Sequence, residues 1–397
     1  MQAFPRISVS SLIIAGQAEL KTGPFGTQLK ASEYTEEGTP VINVRNIGMG
    51  SIKPDKLEYI SDSTRDRLSS HVLRSGDIVF GRKGAVERHV FIRQEQHGWF
   101  QGSDCLRLRL SSPKVEPLFA SYFFQTTEHQ SWMMNQCSHG ATMSSLNQEI
   151  LERIEIPNPP IEVQRRIAGI LAAYDELIEN NQRRIRILED MARSLYREWF
   201  VHYRYPGHES VPLVDSAFEQ IPQGWEVKKV AELLAKVSRQ GKIKTQDYLQ
   251  AGELPVIDQG RELVGGYTND ADVEYSGELP VIVFGDHTRI LKFIDFPFAC
   301  GADGTQLLRS NDERMPVSLF YYTLSAIELS DFAYARHFKF LKEELVVVPI
   351  AELATAFSER VDPIKRQVRV LQQQSDNLHR ARDLLLPRLL SGQVSVS

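Results

Sequence analysis

Two stretches of this chain carry apolar residues at a strict 4-3-4-3 spacing. The first runs Ile167, Leu171, Tyr174, Ile178, Asn181, Ile185, Leu188, Ala192, Leu195, Trp199. The second runs Phe357, Val361, Ile364, Val368, Leu371, Ser375, Leu378, Arg382, Leu385, Leu389. Each covers about four and a half heptads, long enough to predict a coiled-coil seam. Arg, Glu, Gln and Asp fill the flanking positions, as exposed helix faces require. Pro159 and Pro160 punctuate the start of the first helix, and Pro206-Gly207 punctuates its end. Pro363 lies inside the second pattern, so that helix is expected to begin near it or to kink there, and Pro387 to limit its regular part. Asn181 and Ser375 are polar members of the seams, and Asn181 is a candidate for fixing their register.

Outside the helices the pattern is of short apolar strands closed by Gly and polar loops, and it is written twice. "GTPVINVRNIG" (38–48) is echoed by "GELPVIDQGRE" (252–262), "DIVFGRKG" (77–84) by "VIVFGDHT" (281–288), and "GSDCLRLRL" (102–110) by "GADGTQLLR" (301–309). The order is kept, and the offset drifts from 215 through 204 to 199. That drift is the mark of a duplicated domain with loops of unequal length. Each copy is followed by one long helix. If the helices pair, antiparallel is the simplest arrangement. The 33-residue seam from Ile167 to Trp199 then makes a spacer of about 50 Å, against about 34 Å for one turn of B-DNA.

Composition narrows the function. At 397 residues, 42% hydrophobic and 24% charged, the chain has room for two or three globular domains. No apolar run reaches the length of a membrane span, and the N-terminus lacks a secretory pattern, so no membrane role and a cytoplasmic location are expected. Cys105, Cys137 and Cys300 are far apart and support neither a zinc site nor a disulfide framework. A net charge of −5 means that any nucleic-acid surface must be local.

Three chemistries compete for the polar loops. Asn158–Ile161, "NPPI", resembles the Asn-Pro-Pro-aromatic motif of adenine methyltransferases, but its fourth residue is not aromatic and no GxGxxG follows a strand. Asp286, His287 and Asp303 offer acid, base or metal-ligand groups for a nuclease. The first copy has Arg82 and Lys83 instead, although a duplicated catalytic site should keep its reacting groups. The third chemistry is reading DNA, since Arg, Lys, Gln and Asn pair with base edges and Asp accepts from cytosine. The candidate readers are Lys21, Arg45, Asn46, Arg82 and Lys83 in the first copy. In the second they are Arg239, Gln240, Lys242, Gln259, Arg261, Asp286, His287 and Arg289, with Lys339 in the basic stretch "RHFKFLK". No catalytic and no metal-binding residues are assigned. Trp199, Phe200 and Tyr203, at the end of the first seam, are expected to form an exposed partner-binding patch.

The pattern as a whole resembles the specificity subunit of type I restriction-modification systems. The stretches that carry the resemblance are "GATMSSLNQEILERIEIPNPPIEVQRRIAGILAAYDELIENN" (140–181), "LEDMARSLYREWFVHYRYP" (188–206), "IPQGW" (221–225) and "ARDLLLPRLLSG" (381–392). The resemblance implies an α+β fold with an internal pseudo-two-fold repeat, in which two similar α/β target recognition domains are separated by two long helices forming an antiparallel coiled coil. The domains fall at 1–155 and 207–350, the helical segments at 156–206 and 351–397. It further implies a non-catalytic subunit that reads a bipartite target in double-stranded DNA. Two methyltransferase subunits dock on the helices, and restriction subunits join through them. This chain binds no cofactor; S-adenosylmethionine, ATP and Mg are expected in the partner subunits. The alternative is an adenine methyltransferase or nuclease acting alone. The second helical segment lacks the "PPIEVQRRIAGIL" of the first, so the two-fold symmetry of the dock is expected to be imperfect.

Overall fold

The computed structural model describes residues 4–137, 145–217, 220–301, 304–329 and 336–396. The chain divides into two units, Met1–Asn180 with Gln374–Ser397, and Asn181–Gln373. Both long helices pass from one unit into the other, and Asn181 and Ser375, each buried, lie beside those crossings.

In the first unit a five-stranded sheet has the order Ala18–Thr22, Cys105–Leu110, Ile78–Gly81, His89–Phe91, Met49–Gly50. A four-stranded sheet orders Tyr34–Thr35, Glu58–Ile60, Thr39–Ile42, Phe100–Gln101. Ile78, Val79 and Phe80 are buried on both faces, which explains why this strand reads as a continuous apolar run rather than an alternation. The helix Pro117–Phe124 covers the sheet with Phe119, Ala120 and Phe124. The long helix Ile161–Tyr196 adds Ile167, Ala168 and Leu171 to the same core, and the far end of the helix Ala351–Leu390 adds Leu389 and Leu390. Asp175 and Arg382 pair at 2.6 Å. In this unit, then, the two helix segments run antiparallel and share the core of the domain beside them.

The second unit repeats the plan. Val281–Gly285 is flanked antiparallel by Leu291–Ile294 and Thr305–Leu308, as Ile78–Gly81 is by His89–Phe91 and Cys105–Leu110. Leu254–Ile257 runs parallel to Ala299–Cys300, as Thr39–Ile42 runs parallel to Phe100–Gln101. Single hydrogen bonds recur. The Gly102 amide donates to the Ile42 carbonyl at 3.0 Å and the Gly301 amide to Ile257 at 2.8 Å. The duplication predicted from the sequence is present in backbone pairing, although the side chains around these bonds differ.

Two expectations need correction, and a third is met. The second long helix begins at Ala351 and runs through both Pro363 and Pro387 to Leu390. An interior proline costs about 3 kcal/mol of helix stability. Burial of Phe357 and Val361 before Pro363, and of Val368 and Leu371 after it, offsets that cost. Trp199 and Phe200 are not an exposed patch: they are 6% and 7% exposed. Phe200 packs edge-on against Phe357 at 5.1 Å, and Tyr203 edge-on against Trp225 at 5.4 Å. These aromatics are core of the second unit, held there by a π-helical turn at Arg197–Val201 that ends the helix. "NPPI" is a helix start, as Pro159 and Pro160 led one to expect. The Val163 and Gln164 amides donate to the Pro160 carbonyl, and Asn158 Oδ1 accepts from Gln164 Nε2 at 3.1 Å.

Candidate nucleic-acid interface

The strands of the first unit bring three loops together around Gly102 and Asp104. Lys21 lies near the end of Ala18–Thr22, and the next turn closes with the Gly23 amide on the Cys105 carbonyl at 2.9 Å. Gly23 is demanded by this approach, because a Cβ there would fall 1.9 Å from the Gly102 carbonyl oxygen. Gly102 in turn lies against Asn43, which opens the loop carrying Arg45. The third loop follows Gly81, and the Arg82 amide donates to Asp104 at 2.9 Å. Lys83, exposed, forms an ion pair with Asp104 at 3.3 Å. Arg45, also exposed, pairs with Glu58 at 2.6 Å.

Not every predicted reader is placed to touch a ligand. Asn46 is fully buried; its Nδ2 donates to the Lys53 and Asp55 carbonyls at 3.0 Å each, and its Oδ1 accepts from the Asn43 amide. It shapes the loop that presents Arg45 and is corrected from reader to support. Lys21 is half-buried, opposite Arg107 in the register, and its carbonyl accepts from Gln101 Nε2 at 2.9 Å.

The second unit builds a corresponding cluster with other side chains. The loop from Arg239 to Lys244 is tied in by Arg239 Nη2 on Gln306 Oε1 at 2.6 Å, by Gln240 on Ser276, and by the Ile243 amide on the Cys300 carbonyl. Lys242 and Arg261 are exposed. Gln259 acts as a brace: its Oε1 accepts from the His287 amide at 3.1 Å, and its carbonyl accepts from the Thr288 hydroxyl at 2.7 Å. Gly285 makes this possible, since a Cβ there would sit 2.2 Å from Thr288 Oγ1 and 2.9 Å from Gln259 Cβ. Asp303 lies outside the described residues.

"DHTR" divides into distinct roles. Asp286 is 5% exposed and is corrected from reader to cap. Its Oδ1 accepts from the Phe338 amide at 2.8 Å, and its carbonyl from the His337 amide at 2.8 Å. It thereby caps the short helix His337–Glu343, on which Lys339 is exposed. In the first unit the corresponding helix, Gln148–Glu152, is capped by its own Asn147, which leaves its Phe-Gly loop without need of an acid. Arg289 takes a left-handed conformation, φ 63°, and its Nη1 donates to the Leu329 carbonyl at 3.0 Å. His287 and Thr288 are the exposed tip.

Sequence reasoning passed over the residues that hold these loops in place. Glu58 and Asp104 orient Arg45 and Lys83. Lys292, 5% exposed, donates to the Glu262 and Leu263 carbonyls and lies 3.7 Å from Asp258, pinning the loop that carries Gln259 and Arg261. Burial lowers its pKa, and Asp258 opposes that shift. The signal was in "LKFI": Lys292 shares the strand face of buried Ile294. Among the described residues no cluster of three or more His, Cys, Asp and Glu could hold a metal ion, and no helix is long and apolar enough to cross a membrane.

Comparison with known proteins adds a family to this geometry. Residues 20–190 match the family model for the type I restriction modification DNA specificity domain. The type I restriction enzyme MjaIX specificity subunit of Methanocaldococcus jannaschii is 25% identical over 298 residues, 69% of this chain and 68% of that protein. The putative MjaX specificity subunit of the same organism is 24% identical over 385 residues, 90% of this chain and 88% of that one. The type I restriction-modification S subunit of M. genitalium has a similar fold, with a TM-score of 0.63 at 17% identity, over 99% of this chain and 97% of that one. Residues 20–190 thus match the type I restriction modification DNA specificity domain, and over most of its length the chain is similar to the specificity subunits of type I restriction-modification systems.

Proposed function

We propose that this chain is the sequence-reading subunit of a type I restriction-modification complex, with each loop cluster reading one half of a bipartite site in double-stranded DNA. The observation that carries the reading is the pairing of a repeated scaffold with unrepeated tips. Gly102 and Gly301 make the same backbone bond, while Arg82-Lys83 and Asp286-His287 follow the same strand end. A catalytic duplication needs the same reacting groups twice; two half-sites need different readers. A methyltransferase or nuclease acting alone is disfavoured, because Asp286 and Asn158, two of the groups that suggested it, hold up local structure. Asp286 caps a helix and Asn158 opens one.

Methyltransferase subunits dock on the exposed apolar positions of the long helices in this reading. These are Ile170, Leu177 and Leu384 in the first unit, and Ile187, Met191 and Val370 in the second. They replace Trp199, Phe200 and Tyr203 as the proposed patch. Restriction subunits join through the methyltransferases. S-adenosylmethionine, ATP and Mg belong to those partners, and this chain supplies no reacting group.

The test is binding of the assembled methyltransferase to cognate and mismatched duplexes at two salt concentrations. His287→Ala and Lys83→Ala should each relax discrimination in one half of the target and not the other. A side chain on a base edge is worth about 1–3 kcal/mol of discrimination. One on phosphate weakens binding evenly and makes the salt slope shallower. Two variants that leave affinity, discrimination and salt slope unchanged would remove the loop tips as readers.

A further inference from the structure

The two domains sit on their helices through equivalent positions of opposite charge. The equivalence follows from register. His89 lies opposite Phe80, and Leu291 opposite Phe284. Two residues further along each strand, Phe91 lies opposite Ile78 and Phe293 opposite Ile282. Arg93 and Asp295 each come two residues later still, at the same strand end.

The helices align as securely. Glu155 pairs with Ser8, and Leu345 with Lys229. The next amides, Val9 and Val230, donate to Ile154 and Glu344 at 3.0 and 2.9 Å. Leu345 stands 190 residues after Glu155, and by the same interval Lys365 matches Asp175 and Arg369 matches Glu179. The alignment also superposes buried Ile167 on Phe357, Leu171 on Val361 and Ile178 on Val368.

At these matched positions every sign is reversed. In the first unit Arg93 Nη1 donates to Glu179 Oε2 at 2.8 Å, and Asp175 accepts from the Tyr122 hydroxyl at 2.7 Å. In the second, Arg369 Nη1 donates to Asp295 Oδ1 at 2.7 Å. The Lys365 ammonium lies 4.1 Å from the ring centre of Tyr321 and 4.9 Å from that of Tyr322. Positions 175 and 179, like 365 and 369, are one turn apart and share a helix face. The first seat is thus acidic on the helix and basic on the domain; the second is basic on the helix and acidic on the domain. Arg93 feels both Glu179 and Asp175, while Asp295 acts on Lys365 as well as pairing with Arg369.

We infer that the two seats are charge-keyed, so that each domain discriminates the helix segment that follows it in sequence from the matching segment of the other long helix. The apolar parts of the seats are interchangeable in kind, and tandem repeats of this sort are prone to misassembly and domain exchange. A wrong pairing would set Arg93 against Arg369, or Asp295 against Glu179. Specificity between similar partners is obtained by such repulsion as much as by the correct attraction. The second seat is the more strongly keyed, because Asp295 and Arg369 are 24% and 28% exposed, against 37% and 50% for Arg93 and Glu179, and because Arg369 also lies 4.9 Å from the Phe296 ring centre.

The experiment uses the full chain without DNA and reads amide hydrogen exchange in segments 89–93 and 171–180. The variants are Arg93→Asp, Glu179→Arg, the two together, and the neutral pair Arg93→Gln and Glu179→Gln. Each reversal should speed exchange by about two- to fivefold, the range open to a partly exposed ion pair, and by more than its neutral counterpart. The double reversal restores an opposite-sign pair at 93 and 179 while Asp175 keeps its partner Arg382, so it should recover most of the protection that either single reversal loses. Raising ionic strength should shrink the differences. Asp295→Arg and Arg369→Asp should behave alike in segments 291–295 and 361–370. Reversals no worse than neutralisation, or a double reversal as fast as the two singles combined, would overturn the inference. If a single reversal unfolds its domain, the double variant decides: folded supports the key, unfolded refutes it.

Discussion

Asp286 shows how a single residue can look like chemistry and be architecture. Its carboxylate and carbonyl satisfy the first amides of the helix His337–Glu343, which has no side chain of its own to do so. Asp286→Ala should cost about 1 kcal/mol and raise amide exchange in residues 337–343, while Asp286→Asn should keep most of the protection. Altered base discrimination with that helix intact would return Asp286 to the readers. His71, His89 and His129, all buried in the first unit, carry a second residue-scale consequence. Burial pulls their pKa values down to about 4, 3 and 4. Their folded pKa values are lowered, so between the unfolded value near 6.5 and about pH 4 the unfolded chain binds protons that the folded chain does not. Stability of the first unit should therefore fall as pH drops through that window, by up to about 1.4 kcal/mol per pH unit per histidine. Urea unfolding of the full chain at pH 7 and 5 checks this, and His129→Phe, which keeps an aromatic among Phe123, Phe124 and Trp132, should flatten the slope.

At the scale of elements, the long helices divide their apolar residues between two duties. Trp199 and Phe200 close a core with Phe357 and Trp225. Trp199→Ala should accordingly lose about 3–5 kcal/mol of stability in the second unit, measured by chemical denaturation. Leu177 is 51% exposed, and Leu177→Glu should change stability by no more than about 0.5 kcal/mol while weakening capture of the methyltransferase subunit. If Leu177→Glu leaves that complex intact, the docking face lies elsewhere on the helices.

For the whole molecule, the repeat predicts modular reading. Exchanging residues 1–150 for the matching region of a related chain should change one half of the methylated target and leave the other half as it was. Mapping the methylated positions in DNA from cells carrying the hybrid and its methyltransferase is the measurement. A hybrid altered in both halves would mean that the two loop clusters do not read independently. The hybrid must also keep the seat intact, so a donor domain with an acid at the position of Arg93 should show faster amide exchange beside Glu179 and recover with Glu179→Arg.

What the sequence determined by itself is whatever is local and periodic. The heptad spacing fixed both long helices, and short apolar runs ending in Phe-Gly marked matched strands and the loops after them. These follow from the geometry of helix and strand, which repeats every few residues. Tertiary structure alone decided which side of an element is covered. The spacing that placed Trp199 and Phe200 at the end of a seam did not show that Phe357 and Trp225, far off in the chain, would bury them. Asn46 and Asp286 sit in reader-like loops, but backbone amides and carbonyls brought in by the fold occupy them: Asn43, Lys53 and Asp55 for one, His337 and Phe338 for the other. The opposite signs of Arg93–Glu179 and Asp295–Arg369 were equally present as letters, yet they acquired meaning only when strand and helix register made them the same place twice. Contacts between residues distant in sequence depend on packing that no local period encodes.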